Sequence, residues 1–358
     1  MPQMATVLPS IAPLLLAWYG RHGRDLPWRG TRDPYRIWLS EIMLQQTTVA
    51  AVIPYYERFL RAFPDVTGLA AAPLTQVLEL WAGLGYYSRA RNLHRAAQAV
   101  VAEHDGVFPA TVAALNKLPG IGRSTAGAIV SIAYDRPAPI LDGNVRRVLM
   151  RLFAWQEDPR SSRAERQLWS WAEQLTPVER AHDYAQAIMD LGATVCTPRN
   201  PTCPLCPLRE LCRAHALGVA TQLPVRRGRK VLPGRAQIAL LLANPCGEML
   251  VRPRPLQGLL GGMWEFPVAV IENGQEPSTV ARRLLADLGL TAELREIGQL
   301  QQTYSHFRLD LTVFTGTVGA TAHIAEAAGH WLDPTALADC PLHGVQRKAL
   351  ALLGAPPG

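Results

Sequence analysis

The sequence predicts a multidomain protein whose first half is all-α and whose second half is α+β. Three observations carry this. From Trp18 to about Cys212 the chain is a succession of helix-length amphipathic segments broken by proline and glycine, with no run of alternating strand. Between Leu211 and Gly247 there is not one Asp or Glu, while Arg213, Arg226, Arg227, Arg229, Lys230 and Arg235 accumulate around prolines and glycines, the texture of a cationic, extended linker. Beyond it AQIALLLA, EMLVRP and LDLTVFTGTV are short β-rich runs bounded by turn residues such as NPCGE, with one helical segment, STVARRLLADLGL, among them. The expected division is a helical domain over 1–217, a basic linker over 218–234 and an α+β domain over 235–358.

Composition narrows the class. The chain has 358 residues, ample for two domains, and its hydrophobic fraction of 48% excludes disordered and fibrous classes. No apolar run reaches bilayer length, and MPQMATVLPSIAPLLLAWYG lacks the basic start and small-residue cleavage site of a secretory signal. A cytoplasmic monomer without a membrane partner is expected, nucleoid-associated if the source is bacterial. The net charge of +7 favours a polyanionic partner and is equally compatible with an ordinary basic enzyme.

The first helix of chemical interest is PYRIWLSEIMLQ. Asp33-Pro34 reads as an N-cap followed by proline at the first helical position. Glu41 then lies among Ile37, Trp38, Leu44 and Gln45, an acid on an apolar face. It is either a glutamate whose head reaches water past that face or a partly desolvated acid.

LNKLPGIGRSTAGAIVSIAY, about residues 115–134, places two helical segments around Pro119-Gly120-Ile121-Gly122. Glycines there permit a tight turn and expose backbone N–H groups at a helix start, an arrangement that cradles phosphate. A plain helix corner has the same pattern. In PILDGNVRRVLMRLF, Asp142 is on local grounds an N-cap, and a capping carboxylate held by N–H groups stays ionised at neutral pH.

Four of six cysteines, Cys196, Cys203, Cys206 and Cys212, fall in the loop 196–212 with spacing C-x6-C-x2-C-x5-C. In a reducing compartment such a cluster means metal. Four thiolates suit either tetrahedral zinc or a cubane iron-sulfur cluster, and the single close pair favours a 4Fe-4S cluster over two zinc knuckles. Cys246 and Cys340 are isolated and, as small buried hydrophobes, need no function.

The helix-hairpin-helix turn, the LDGNV aspartate and the cysteine loop, in that order, resemble the endonuclease III superfamily of base-excision DNA glycosylases over about residues 18–215. Within it SEIMLQQT and GLGYYSRARNLH look like the adenine DNA glycosylase (MutY) branch. The resemblance implies removal of adenine opposite 8-oxoguanine or guanine in double-stranded DNA, a 4Fe-4S cofactor, and a C-terminal domain distantly similar to the Nudix fold. The lysine that lets some superfamily members cut the strand is replaced by Ser124, which forms no imine. A monofunctional enzyme follows.

Adenine leaves poorly as an anion, so its release needs a proton on the ring and a counter-ion for the sugar. The resemblance and the local chemistry together assign Glu41 as general acid, raised by desolvation, and Asp142 as stabiliser or nucleophile for the oxocarbenium-like sugar. Asn144 orients Asp142 or its water. By resemblance Gln46 and Tyr86 fill the gap left by the flipped base, Gly120, Gly122, Arg123 and Ser124 meet the DNA, and Trp28, Arg29 and Gln186 line the adenine pocket. Flipping costs on the order of a few kcal/mol and aromatic stacking returns roughly 1 to 3 kcal/mol of it.

In the second domain a working Nudix box is absent, because Arg283 and Ala286 stand where metal-binding glutamates belong, with only Asp287 acidic, and Gly274 stands at the first. TYSHFRLDL resembles the family loop that meets 8-oxoguanine, with Ser305 and His306 as contacts, and QGLLGGMWEFP places a glycine-rich loop before a buried Trp264. Two other readings stay open: a pyrimidine-directed relative and a non-catalytic iron-sulfur DNA-binding protein. Glu41 and Asp142 argue against the latter.

Overall fold

The computed structural model describes residues 11–225, 231–255, 258–272, 274–319 and 329–354. Part of the expected linker, residues 226–230, lies outside them, as does Gln257 of the glycine-rich loop.

The described part of the first half is helical: α1 (Ile11–His22), α2 (Pro34–Leu44), α3 (Val49–Ala62), α4 (Val66–Ala71), α5 (Leu74–Trp81), α6 (Ser88–His104), α7 (Val112–Leu115), α8 (Arg123–Tyr134), α9 (Gly143–Leu152), α10 (Ser162–Leu175) and α11 (Ala181–Asp190), then a π-helical turn (Leu191–Val195), two 3-10 turns and α12 (Arg213–Ala216). Local chemistry starts several of them. Asp33 accepts from the Tyr35 N–H at 2.9 Å with Pro34 at the first position of α2, Ser161 accepts from Ala164 at 3.1 Å, and Asp142 accepts from Val145 at 2.7 Å. Helix α2 ends at Leu44, one residue short of the expected Gln45, whose backbone is extended.

The chain forms two compact units, one of Met1–Ala72 with Asn92–Gly228, the other of Pro73–Arg91 with Arg229–Gly358. The continuous first domain expected over 1–217 is thus interrupted, since 73–91 groups with the second unit. In the first unit α8 is the central helix, packed against α2, α7 and α11 and buried from Ala126 to Ala133. Trp38 of α2 has no exposed surface, and burying such a side chain stabilises by roughly 2 to 3 kcal/mol. That rigid support fixes the face of α2 bearing Glu41.

In the second unit β1 (Gly234–Ala243) lies at the middle of a mixed sheet of order β3-β2-β1-β6-β5, with β2 (Met249–Pro253), β3 (Trp264–Glu265), β4 (Val268–Val270) beside β1, β5 (Arg295–Thr303), β6 (Arg308–Thr317) and β7 (His330–Leu332) beside β2. Strands β1 and β6 are parallel in the register Gly234↔Arg308 to Ala243↔Thr317. Period-two alternation sends Ala239 and Leu241 to one face, with Leu309, Leu311 and Val313, and Ile238, Leu240 and Leu242 to the other. The second face is covered by α13 (Pro277–Asp287) through Val280, Ala281 and Leu285; the first packs Leu337 of α14 (Pro334–Asp339) and Val345 and Ala349 of α15 (Gly344–Ala351). A strand buried on both faces reads as the continuous apolar run seen in IALLLA. Trp264 is half-buried, not buried as expected; Met263, Glu265 and Phe266 on either side take the interior positions.

Candidate active site

Helix α2, the start of α8, the Leu141–Asn144 segment and α11 enclose a cavity of about 690 Å³ in the first unit. Glu41, Asp142, Asn144, Gln46, Ser124, Trp28, Arg29 and Gln186 all line it, together with Arg24, Gln45 and Thr125. Residues separated by more than 160 positions converge because α8 carries α2 on one side and α11 on the other.

Glu41, itself half-buried, sits one turn after Ile37 and Trp38, both buried, and lines the cavity. Burial pushes that carboxyl up to about 7, the charge of Asp142 adds to the rise and the Arg29 guanidinium opposes it. A carboxyl there holds a proton near neutrality.

Asp142 is the N-cap of α9. Its Oδ1 accepts from the Val145 N–H and its Oδ2 from Asn144 Nδ2 at 3.0 Å. The cap was expected to keep this carboxylate ionised at neutral pH. Burial raises its affinity for protons, and the Val145 and Asn144 hydrogen bonds and the Arg147 charge partly reverse that. Asn144 accepts from Arg147 Nη2 at 2.8 Å, and the same guanidinium donates to Gly192 O at 2.6 Å and Cys196 O at 2.7 Å. At Gly192 a Cβ would lie 2.6 Å from Asn144 Cβ, so only glycine lets the π-helical turn approach the asparagine.

The remaining wall is polar and partly unsatisfied. Gln186 is buried, donates to His182 O at 3.3 Å and leaves Oε1 with no partner among the described residues. Trp28 packs edge-on against Tyr56 at 5.2 Å. Ser124 Oγ accepts from the Leu141 N–H at 2.9 Å, tying the start of α8 to the residue before Asp142, and Gln45 Nε2 donates to Thr125 Oγ1 at 3.4 Å.

Other sequence-singled residues lie outside this cavity. Gly120 and Gly122 are exposed at the turn before α8; Gly120 has φ +76°, and a Cβ there would meet Asn92 Cβ at 2.7 Å. Arg123, also exposed, pairs with Glu173 and lies 3.9 Å above the Trp169 ring. Gln46, which does line the cavity, has φ +58°. In the second unit Tyr86 has φ +51° and an exposed ring, with the Arg89 guanidinium 5.2 Å from it. Ser305 and His306 occupy the tip of the hairpin joining β5 and β6, Ser305 Oγ being 2.8 Å from His306 Nδ1. Arg283, Ala286 and Asp287 are exposed on α13.

Cys196, Cys203, Cys206 and Cys212 line a second, small cavity of about 20 Å³. An all-sulfur donor set of this kind fits a thiolate-bound iron-sulfur cluster. Arg151, buried, donates to Cys196 Sγ at 3.3 Å, Thr197 O at 2.7 Å and Leu223 O at 2.9 Å, tying α9 to the cysteine loop. Cys340 is buried but Cys246 is exposed at the β1–β2 turn, contrary to the expectation that both are interior.

The sequence reading missed Arg24, Arg147, Asp190 and Gly192. Arg147 and Arg151, four apart on the face of α9 that also carries Val148, were a faint signal, since arginines among apolar positions imply buried partners.

Residues 39–174 match the model of the HhH-GPD superfamily base excision DNA repair protein, and residues 238–352 match that of the NUDIX domain. A thermostable thymine-DNA glycosylase of known structure is similar with TM-score 0.54 and 29% identity, over 59% of this chain and 97% of that one. The helical fold agrees with that class of base-excision repair protein. The adenine DNA glycosylase of Mus musculus is 37% identical over 89% of this chain and 73% of its own length, and that of Buchnera aphidicola subsp. Baizongia pistaciae is 37% identical over 72% of this chain and 74% of its own. The chain belongs to the adenine DNA glycosylase family. No described helix is long and apolar enough to cross a membrane.

Proposed function

We propose that the protein excises adenine mispaired with 8-oxoguanine or guanine from double-stranded DNA, as a monofunctional and monomeric glycosylase working in the cytoplasm. Glu41 gives a proton to the adenine ring as the glycosidic bond lengthens. Asp142, oriented by Asn144 and the Val145 N–H, stabilises or traps the cationic sugar, and water completes the hydrolysis. The observation that carries this reading is a raised Glu41 carboxyl and a capped Asp142 carboxylate on one cavity. The unpaired Oε1 of Gln186 supplies an acceptor suited to an exocyclic amine.

Gly120, Gly122 and Arg123 hold the DNA backbone, Gln46 and Tyr86 fill the space left by the flipped base, and Ser124 in place of lysine leaves the strand uncut. Ser305 and His306 meet 8-oxoguanine, and the second unit recognises rather than hydrolyses, because α13 lacks the acids of a magnesium site. Cys196, Cys203, Cys206 and Cys212 would hold a 4Fe-4S cluster, which would cross-link the 196–212 loop.

The test is adenine release from duplexes carrying A:8-oxoguanine, A:G, A:T or an oxidised pyrimidine. Release from the first two, with strand breaks only after hot alkali, is expected; preference for the pyrimidine, or no release at all, overturns the reading. Brown protein absorbing near about 410 nm is expected for the cluster, whereas colourless, zinc-containing protein refutes it.

A further inference from the structure

Asp190, in the last turn of α11, has no exposed surface. It accepts from Arg24 N at 3.0 Å, Arg24 Nε at 2.9 Å, Arg24 Nη2 at 2.6 Å and Arg29 Nη2 at 2.7 Å. Arg29 Nη1 also lies 3.3 Å from Tyr19 OH, to which it donates. Both arginines line the cavity that holds Glu41, whereas Asp190 does not, so the carboxylate stands behind the wall that they form. A buried carboxylate is tolerated only when its lone pairs are filled, and here two guanidinium groups fill them.

One anion against two cations leaves this cluster with a net positive charge beside the cavity. The charged groups that act on Glu41 are Asp142 from the start of α9 and Arg29 from the segment between α1 and α2; Arg24 lines the same cavity, and Tyr19 and Asp190 hold Arg29 from behind. Helix α8 brings Ser124 and Thr125 to the cavity and α11 brings Gln186 and Met189, all uncharged. The Arg29 charge favours the ionised form of Glu41, the wrong form for a proton donor.

We propose that Asp190 is a positioning residue for the glycosidic-bond step: it clamps Arg24 and Arg29 in the cavity wall and offsets their charge, so that the Glu41 carboxyl keeps its proton until adenine arrives. The proposal rests on the reading of Glu41 as the acid. Without the Asp190 charge Arg29 acts on Glu41 uncompensated. Without Arg29 most of that action disappears.

The test is the single-turnover rate of adenine release from an A:8-oxoguanine duplex between about pH 5 and pH 9, where a protonated acid gives a rate that declines on the alkaline side. Asp190→Asn, which keeps shape and removes charge, moves that alkaline limb down by about one pH unit, a roughly tenfold loss at pH values above it. Arg29→Gln moves the limb up, and Asp190→Asn added to Arg29→Gln moves it much less than in the parent. A folded Asp190→Asn that lowers the rate equally at every pH, or an equal displacement in both backgrounds, overturns the proposal. Should Asp190→Asn not fold, an unmoved limb in Arg29→Gln overturns it. Glu41→Gln run in parallel separates the two levels. Activity in that variant removes the acid reading and this proposal with it, while an inactive Glu41→Gln with an unmoved limb in Asp190→Asn removes the proposal alone.

Discussion

Arg147 donates to the side-chain oxygen of Asn144 at 2.8 Å, and Asn144 donates to Asp142 at 3.0 Å. Because the same guanidinium holds the carbonyls of Gly192 and Cys196, the orientation of the Asp142 carboxylate depends on the segment that leads into the cysteine loop. Arg147→Gln strips the buried Gly192 carbonyl and the part-buried Cys196 carbonyl of their charged donor and is expected to cost about 2 to 4 kcal/mol in a denaturant melt. The rate of adenine release should fall at least tenfold. Unchanged stability with an unchanged rate would show the guanidinium to be dispensable.

Glu41 carries the pH dependence. Protonated below about 7, it loses its proton above that, so the rate of release should decline about tenfold per pH unit on the alkaline side. Its carboxyl binds protons more tightly folded than unfolded, where the ordinary value is 4.5, so it weakens the fold increasingly as pH rises from about 4.5 to about 7. Glu41→Gln is therefore expected to be inactive and, at pH 8, more stable by on the order of 1 to 3 kcal/mol, with no gain at pH 4. Urea melts at the two pH values check the sign.

Gly192 tests the close approach. Gly192→Ala places a methyl 2.6 Å from Asn144 Cβ, a distance that backbone must relieve. Since the neighbouring Gly192 carbonyl also holds Arg147, both bonds to Asn144 are disturbed. A loss of about 1 to 3 kcal/mol in a thermal melt, with slower adenine release, is the expected result. A fully active alanine variant counts against the packing argument.

Gln46 and Tyr86 both adopt left-handed backbone, a conformation that costs a side-chain-bearing residue of order 1 kcal/mol. Glycine at either position relieves the strain and removes the side chain proposed to replace a flipped base. Gln46→Gly and Tyr86→Gly should each raise the melting temperature slightly while weakening release from mispaired duplex by about tenfold or more. Loss of stability together with activity would mean that the side chains serve packing.

Ser124 lines the cavity with Asp142. An amine there reaches the same space, so Ser124→Lys should give some strand cleavage through an imine that borohydride traps as a covalent DNA adduct. It also surrenders the 2.9 Å bond from the Leu141 N–H, so a modest loss of stability should accompany it. A gel with no trapped band sinks this expectation.

Local chemistry was legible wherever a residue acts on its chain neighbours. Asp33-Pro34 starts α2 and Asp142 caps α9 because each cap accepts from an N–H within three residues. The β-rich runs and the helix among them follow from side-chain period and turn residues. Arg24 and Asp190 were not legible, since their bond spans 166 positions and neither residue breaks a local pattern. The grouping of residues 73–91 with the second unit was hidden for the same reason.

The amino-acid sequence by itself determined the α and α+β halves, the two carboxylates in unlike surroundings, the four-cysteine loop and the missing lysine at Ser124, because each depends on residue type and short spacing. Only the tertiary structure decided that Glu41 and Asp142 share one cavity, that burial overrides the cap in setting the proton affinity of Asp142, and that Asp190 stands behind Arg24 and Arg29. Those facts depend on desolvation and on distances between chain-remote groups, which packing sets and sequence spacing does not.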